Sequence, residues 1–164
     1  MFEMFKKKET AVSVSDEAIV APADGELFPI ESVKDEVFAQ KMMGDGIAFR
    51  YHQDRTVLCA PCNGVLSVLF PTGHAFGITM NNGVEILVHI GIDTVNAKGD
   101  GFRLFKKKQG DTVKAGDPIV EADIQKLGQT YDMSTMLIIT DSRDHKISFI
   151  DPCIVTKGQS LLKK

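Results

Sequence analysis

The chain has 164 residues, 43% of them apolar and 25% charged, with a net charge of −3. That is long enough for one domain with a real core and excludes the general basic field that nucleic acid requires. No apolar run nears the roughly 18 residues that span a bilayer, and three cysteines do not suggest a disulfide framework; a reducing cytoplasm fits best.

Residues 1–17 read as a flexible tail and 18–164 as a single domain. The start, Met1-Phe2-Glu3-Met4-Phe5-Lys6-Lys7-Lys8, carries its charges after its short apolar part, which is not a secretory signal. Its apolar residues beside three lysines can make weak membrane contact through residues 1–8; the plainer reading is a frayed terminus. From Ile19 onward the chain has the texture of short strands cut by turns. Ile19 to Leu27 predicts a strand, an Asp24-Gly25 turn and a second strand. Val37-Phe38-Ala39 and Met42-Met43 are short pieces punctuated by Gly44-Asp45-Gly46. The first pattern then returns: Ala60-Pro61 matches Ala21-Pro22, Asn63-Gly64 matches Asp24-Gly25, and Leu66 matches Leu27. Proline fixes φ, and Asx-Gly supplies the positive φ of a tight hairpin. Two copies of one unit predict an internal duplication.

Further on, Lys98–Phe102 is a turn, and Gly110–Val120 holds two turn clusters around short strands. Asp123–Gln129 is the best helical candidate. Met136–Thr140 is a strong strand, and Ser148–Ile150 and Cys153–Val155 read as strands rather than helices. At least ten short strands with little helix predict an all-β fold, an antiparallel β-sandwich or barrel-like hybrid with internal duplication.

Three groups of residues offer chemistry. Cys59-Ala60-Pro61-Cys62 is a CxxC, but its two cysteines take the places of Val20 and Ala23 in the other copy, as small apolar residues. There is no second CxxC for a four-cysteine zinc site. His52 and His145 lie in polar surroundings and read as solvated. His74 and His89 differ, since each sits in an apolar strand near a glycine, where an imidazole must be partnered or exposed for use. Gly91 is small enough to leave open space beside His89. Met80-Asn81-Asn82-Gly83 is a turn signal, so Ala75–Thr79 and Val84–Ile90 predict an antiparallel hairpin. Both histidines then lie at one end of neighbouring strands, with Thr72 close by. Two imidazoles, a hydroxyl and Asp93 suit metal binding, acid/base catalysis or phosphoryl carriage, and periodicity does not choose among them.

The stretch Gly83-Val84-Glu85-Ile86-Leu87-Val88-His89-Ile90-Gly91-Ile92-Asp93-Thr94-Val95 resembles the phosphohistidine signature of glucose-type enzyme IIA of the bacterial phosphoenolpyruvate-dependent sugar phosphotransferase system. Ile19-Val20-Ala21-Pro22 with Gly25, Val37-Phe38-Ala39 with Gly44-Asp45-Gly46, Thr72-Gly73-His74-Ala75-Phe76 and Gly99-Asp100-Gly101-Phe102 resemble that family in order and spacing. The resemblance runs from Ile19 to the C-terminus and is weaker after Asp123. It implies that His89 accepts a phosphoryl group through Nε2 from the carrier HPr and passes it to a cysteine of a IIB domain. It implies a supporting role for His74 and an orienting role for Thr72. The asparagine common before the supporting histidine is Gly73 here. Val37, Phe38, Met42, Met43, Phe70 and Leu87 match an apolar partner-binding rim, and Asp35 and Asp93 match acids at its edge; for each aliphatic residue the plain alternative is core packing. No cofactor is implied, because the phosphoryl group is held covalently, and no metal.

Two other readings stand beside this one. Gly110–Ala122 resembles half of the duplicated β fold of lipoyl- and biotin-carrier domains, but the attachment lysine between methionines is absent, which leaves a likeness of architecture. A non-catalytic regulator of transporters or metabolic enzymes is the second. Retention of both histidines argues for transfer.

Overall fold

The computed structural model describes residues 13–164, so the membrane-contact reading of residues 1–8 lies outside the described residues. Residues 13–17, assigned to the tail from sequence, lie against the body: Asn63 Nδ2 donates to the Val14 carbonyl (3.0 Å) and to Asp16 (3.1 Å).

Eleven strands are described: β1 (Gly25–Pro29), β2 (Gly46–Arg50), β3 (Arg55–Cys59), β4 (Gly64–Leu69), β5 (Ala75–Met80), β6 (Glu85–Ile90), β7 (Phe102–Leu104), β8 (Thr112–Val113), β9 (Pro118–Asp123), β10 (Thr135–Asp141) and β11 (Ile154–Val155). Eight form one sheet in the order β11-β1-β2-β10-β6-β5-β4-β8, and β3-β9-β7 form a second. Every pairing is antiparallel. The sheets face each other across the main core, where Phe49, Phe76, Val88 and Leu137 meet Leu58, Val120 and Ala122. This is the all-β sandwich that the strand pattern predicts, with helix limited to short turns.

The duplication is written in backbone hydrogen bonds. Val20 N–H donates to the Pro61 carbonyl (2.8 Å), and the matching Cys59 N–H donates to the Pro22 carbonyl (2.9 Å). Ala21 and Ala60 donate to Gln159 and Asp117, and Leu27 and Leu66 to Cys153 and Asp111. The Asp24 and Asn63 side chains accept from the backbones of Lys157 and Ala115. The sheet order is accordingly symmetric about the β10–β6 pair: β11 corresponds to β8, β1 to β4, and β2 to β5.

Several local expectations are corrected or refined. Asp24-Gly25 and Asn63-Gly64 do not make tight hairpins, and neither glycine has positive φ. Each glycine instead opens a strand at a close approach of backbone. A Cβ on Gly25 would lie 2.8 Å from the Arg50 carbonyl oxygen, and one on Gly64 would run into that of Thr79. Val37–Ala39 is not extended but belongs to a one-turn helix, Glu36–Ala39. Phe149 makes only an isolated bridge, to Leu162, because its flanks are irregular. The brief helix predicted over Asp123–Gln129 is present as a single turn, Ile124–Leu127, whose Lys126 N–H donates to Asp123.

The two symmetric halves differ in one connection. Between β1 and β2 the chain runs from residue 30 to 45 and carries Ile30, Val33 and Phe38. These bury against Phe28, Ala48, Met136 and Ile138 on the outer face of the large sheet. The corresponding β4–β5 link spans only residues 70–74, so the outer face of that half has no such cover among the described residues.

Replacing Gly64 with alanine forces β4 away from β5 and is expected to cost about 3 kcal/mol of unfolding free energy. Urea denaturation measures it, and a wild-type midpoint would overturn the close-approach reading.

Candidate functional site

Alternation along β6 decides what the histidine does. Ile86, Val88 and Ile90 are buried in the main core, and Glu85, Leu87 and His89 point to the other face. His89 is thus on the outer surface of an apolar strand rather than misplaced within a core. The register puts Phe28, Ala48, Met136, His89 and Ala75 in one row across five strands. The cover over residues 30–39 spans the first part of that row and ends at His89. Phe38 packs its ring on the imidazole, centroids 5.0 Å apart.

The β5–β6 hairpin forms as predicted, with Ala75 opposite His89. His74 precedes β5, and its carbonyl accepts from Ile90 N–H (2.7 Å). The two imidazoles meet edge to face, with centroids 5.4 Å apart and planes at 77°. Phe70 lies against the far side of His74 at 4.8 Å. Thr72 Oγ1 and His74 Nδ1 are 2.7 Å apart, within hydrogen-bond distance.

One bond assigns the protons of His89. Its Nδ1 lies 2.8 Å from the Gly91 carbonyl oxygen. A carbonyl can only accept, so Nδ1 carries the hydrogen and neutral His89 has its lone pair on Nε2. Gly91 does not leave the open space expected of it. It sits at φ +80°, and a Cβ there would lie 2.5 Å from Thr94 Cγ2 and 2.9 Å from Met133 Sδ. The glycine is needed for its backbone shape, which aims the carbonyl at the imidazole.

Burial disfavours charge on both rings. It lowers the His89 pKa below the ordinary 6.5, opposed by the Gly91 carbonyl, then by Asp35 and Asp93. Burial also lowers that of His74, with the neighbouring His89 adding to the effect. Both imidazoles are therefore neutral near pH 7.

The rim is partly as expected. Val37, Met42, Met43 and Phe70 are exposed, Met42 by 69%. Leu87 is half-buried on the face of His89 and packs against the covering cluster. Phe38 is a correction, because only 7% of it is exposed. Its one-turn helix faces it inward, where it is a wall of the site and part of the core. Asp35 has a structural duty beside its charge: its Oδ1 accepts from Val37 N–H at 2.9 Å and starts that helix. Asp93 is exposed, at φ +61°, and opens the turn Thr94–Ala97. Val65 and Val68 on β4 and Val95 after Asp93 are also exposed apolar residues that the sequence reading missed. The β4 pair lies on either side of an irregularity at Ser67 that breaks the strand's alternation.

The cysteine pair is no rival centre. Cys59 and Cys62 are buried, and burial pushes the Cys62 thiol up to about 12 and raises that of Cys59. A thiol so placed is protonated and unreactive at neutral pH. Among the described residues, no group of three or more His, Cys, Asp or Glu side chains gathers in a way that could hold a metal ion.

Comparison with known proteins identifies the family. A family model described as phosphoenolpyruvate-dependent sugar phosphotransferase system, EIIA 1, matches residues 17–145, which include both histidines. The chain is 37% identical over 174 residues to the glucose-specific EIICBA component of the phosphotransferase system of Staphylococcus saprophyticus. That match covers 98% of this chain and 25% of the relative, so the chain spans about a quarter of that protein's length. The solved structure of glucose permease IIA from Mycoplasma capricolum superimposes with a TM-score of 0.83 at 36% identity, over 88% of this chain and 93% of that one. The chain belongs to the EIIA 1 family of the phosphoenolpyruvate-dependent sugar phosphotransferase system, and its role is that of a phosphocarrier in sugar phosphotransfer.

Proposed function

We propose that His89 carries the phosphoryl group on Nε2, taking it from phospho-HPr and giving it to a cysteine of a IIB domain. The observation that supports this best is the Nδ1–H bond to Gly91, which leaves Nε2 as the bare nitrogen on a half-open face. The Nε2 lone pair attacks phosphorus, the phosphorus–nitrogen bond to the donor breaks, and its electron pair leaves with the donor imidazole. In the second step a IIB thiolate attacks phosphorus and the pair returns to His89 Nε2. As the first bond forms, the His89 ring gains positive charge. The Gly91 carbonyl, Asp35 and Asp93 are placed to favour that charge.

His74 supplies the complementary half. In this reading the Thr72 hydroxyl donates to His74 Nδ1, which puts the His74 proton on Nε2 as a donor for phosphoryl oxygens. The exposed residues Val37, Met42, Met43 and Phe70 form the apolar rim on which HPr and the IIB domain dock in turn. Half-exposed Leu87 extends that rim, and Asp35 and Asp93 sit at its edge to pair with basic side chains of those partners. The transfer needs no cofactor or metal from this chain. Among the described residues no helix is long and apolar enough to cross a membrane; the reaction is assigned to the cytoplasm, where a phosphorylated HPr is met.

Incubation with phosphoenolpyruvate, enzyme I and HPr is expected to add one acid-labile phosphate, absent in His89→Ala. An unmodified wild-type chain would sink the assignment. In His74→Gln, acceptance should survive while onward transfer to IIB falls by about 100-fold, the usual cost of losing one aligned donor; equal transfer rates would remove the role of His74. The lowered His89 pKa leaves more than half of the nucleophile neutral at pH 6.5. The acceptance rate should therefore fall by less than half as pH goes from 7.5 to about 6.5, with the main drop below that. A rate already halved at pH 6.5, with HPr and enzyme I shown not to limit it, would contradict the depressed value.

A further inference from the structure

The reaction proposed above needs the His89 proton to stay on Nδ1, and so depends on whatever holds the Gly91 carbonyl in place. Two groups grip that residue. On one side, Thr94 is wholly buried, and its hydroxyl donates to the Ile90 carbonyl at 2.5 Å. The Thr94 methyl lies against Gly91, at the spot any side chain there would claim. On the other side, Gly91 N–H donates to the Ser134 carbonyl (3.0 Å) and Ile92 N–H to the Asp132 carbonyl (2.8 Å). The short strap 132–134 is itself closed by Asp132 Oδ1, which accepts from Ser134 N–H and from its hydroxyl at 2.9 and 2.7 Å. Met133 packs its sulfur over Gly91.

We infer that Thr94 is a positioning residue for phosphoryl transfer: its hydroxyl on Ile90, with the strap Asp132–Ser134, aims the Gly91 carbonyl at His89 Nδ1. The inference rests on reading His89 as the acceptor. The neutral imidazole keeps its proton on the nitrogen that finds a partner. If the 90–94 turn relaxes, Nδ1–H loses its acceptor in a half-buried place. The proton then redistributes to Nε2, and the attacking nitrogen loses its lone pair. No contact of Thr94 with substrate is required. The effect passes through two backbone carbonyls, those of Ile90 and Gly91.

The test compares wild type, Thr94→Val and Thr94→Ser, each labelled with nitrogen-15 in its histidines. Nitrogen chemical shifts report the tautomer of His89 in the unphosphorylated protein, and uptake from phospho-HPr reports function. Thr94→Val should raise the Nε2–H share of His89 and slow uptake by about tenfold, a typical cost of a misaimed reacting group. Thr94→Ser should restore the Nδ1–H form. A folded Thr94→Val with wild-type tautomer and uptake, or a Thr94→Ser that behaves like it, overturns the inference. Should Thr94→Val not fold, Asp132→Ala at an exposed site loosens the same grip. Its His89 tautomer must shift in the same direction, and an unchanged one overturns the inference. The tautomer is read without a phosphoryl donor, so this failure is distinct from failure of the acceptor assignment, which shows as no uptake by wild type.

Discussion

The hydrogen bond from His89 Nδ1 to the Gly91 carbonyl is the constraint on which the rest of the site depends. An imidazole has two similar nitrogens, and on the reading proposed above only one of them can act as the nucleophile. A side-chain acceptor would leave that choice to a rotamer. A backbone carbonyl two residues away leaves it to the shape of the chain, which is rigid because Gly91 is held at φ +80° between Thr94 and Met133. Everything else acts on a ring whose protonation has already been decided: Phe38 and Leu87 make its surroundings apolar, Asp35 and Asp93 temper the cost of charge, and His74 faces it with Thr72 behind.

The duplication explains where such a ring can be reached. The two halves of the large sheet are alike in hydrogen bonding, and each has an outer face as well as a core face. One half covers its outer face with the 30–45 connection, which anchors through Ile30, Val33 and Phe38. Burying a phenylalanine such as Phe38 is worth about 2 kcal/mol, so the edge of the cover, where it touches His89, is held firmly. The other half has only Phe70 to His74 at the same point. The site is the boundary between a covered half and an uncovered half, and the difference in loop length makes that boundary.

Much of this was legible in the sequence because its signals were local. The Asn-Asn-Gly turn directly follows β5 and stops two residues before β6, and it brings His74 beside His89 by hairpin register alone. The repeated Ala-Pro pairs exposed the duplication, since their bonds to one another preserve the match in three dimensions. What was misread depended on partners distant in sequence or on backbone angles. Gly25 and Gly64 look like turn formers, yet their reason is the approach of Arg50 and Thr79 from neighbouring strands. Gly91 looks like a gap and is a conformational necessity, a distinction that lies in φ and leaves no mark on composition. Phe38 falls on the rim only by resemblance to family positions, and a one-turn helix is too short for its sequence to show that the ring turns inward. Asp35 has two duties, and an acid before a helix start looks the same as an acid on a docking edge.

The place of β10 has a consequence for the order in which the site comes into being. Strands β4, β5 and β6 are contiguous in sequence and can pair as soon as they exist, with His74 and His89 already adjacent. Their neighbour β10 and the carbonyls of Asp132 and Ser134 come more than forty residues after His89. During synthesis from the N-terminus, the histidines therefore meet well before the turn that orients them is gripped. A nascent or partly unfolded chain presents the same two rings before the Gly91 carbonyl that fixes the His89 tautomer is held in place. The grip on Gly91 is acquired only once β10 has joined β6 and brought the 132–134 strap alongside, so the aim of the His89 ring is a property of the closed sheet and not of the hairpin that carries it.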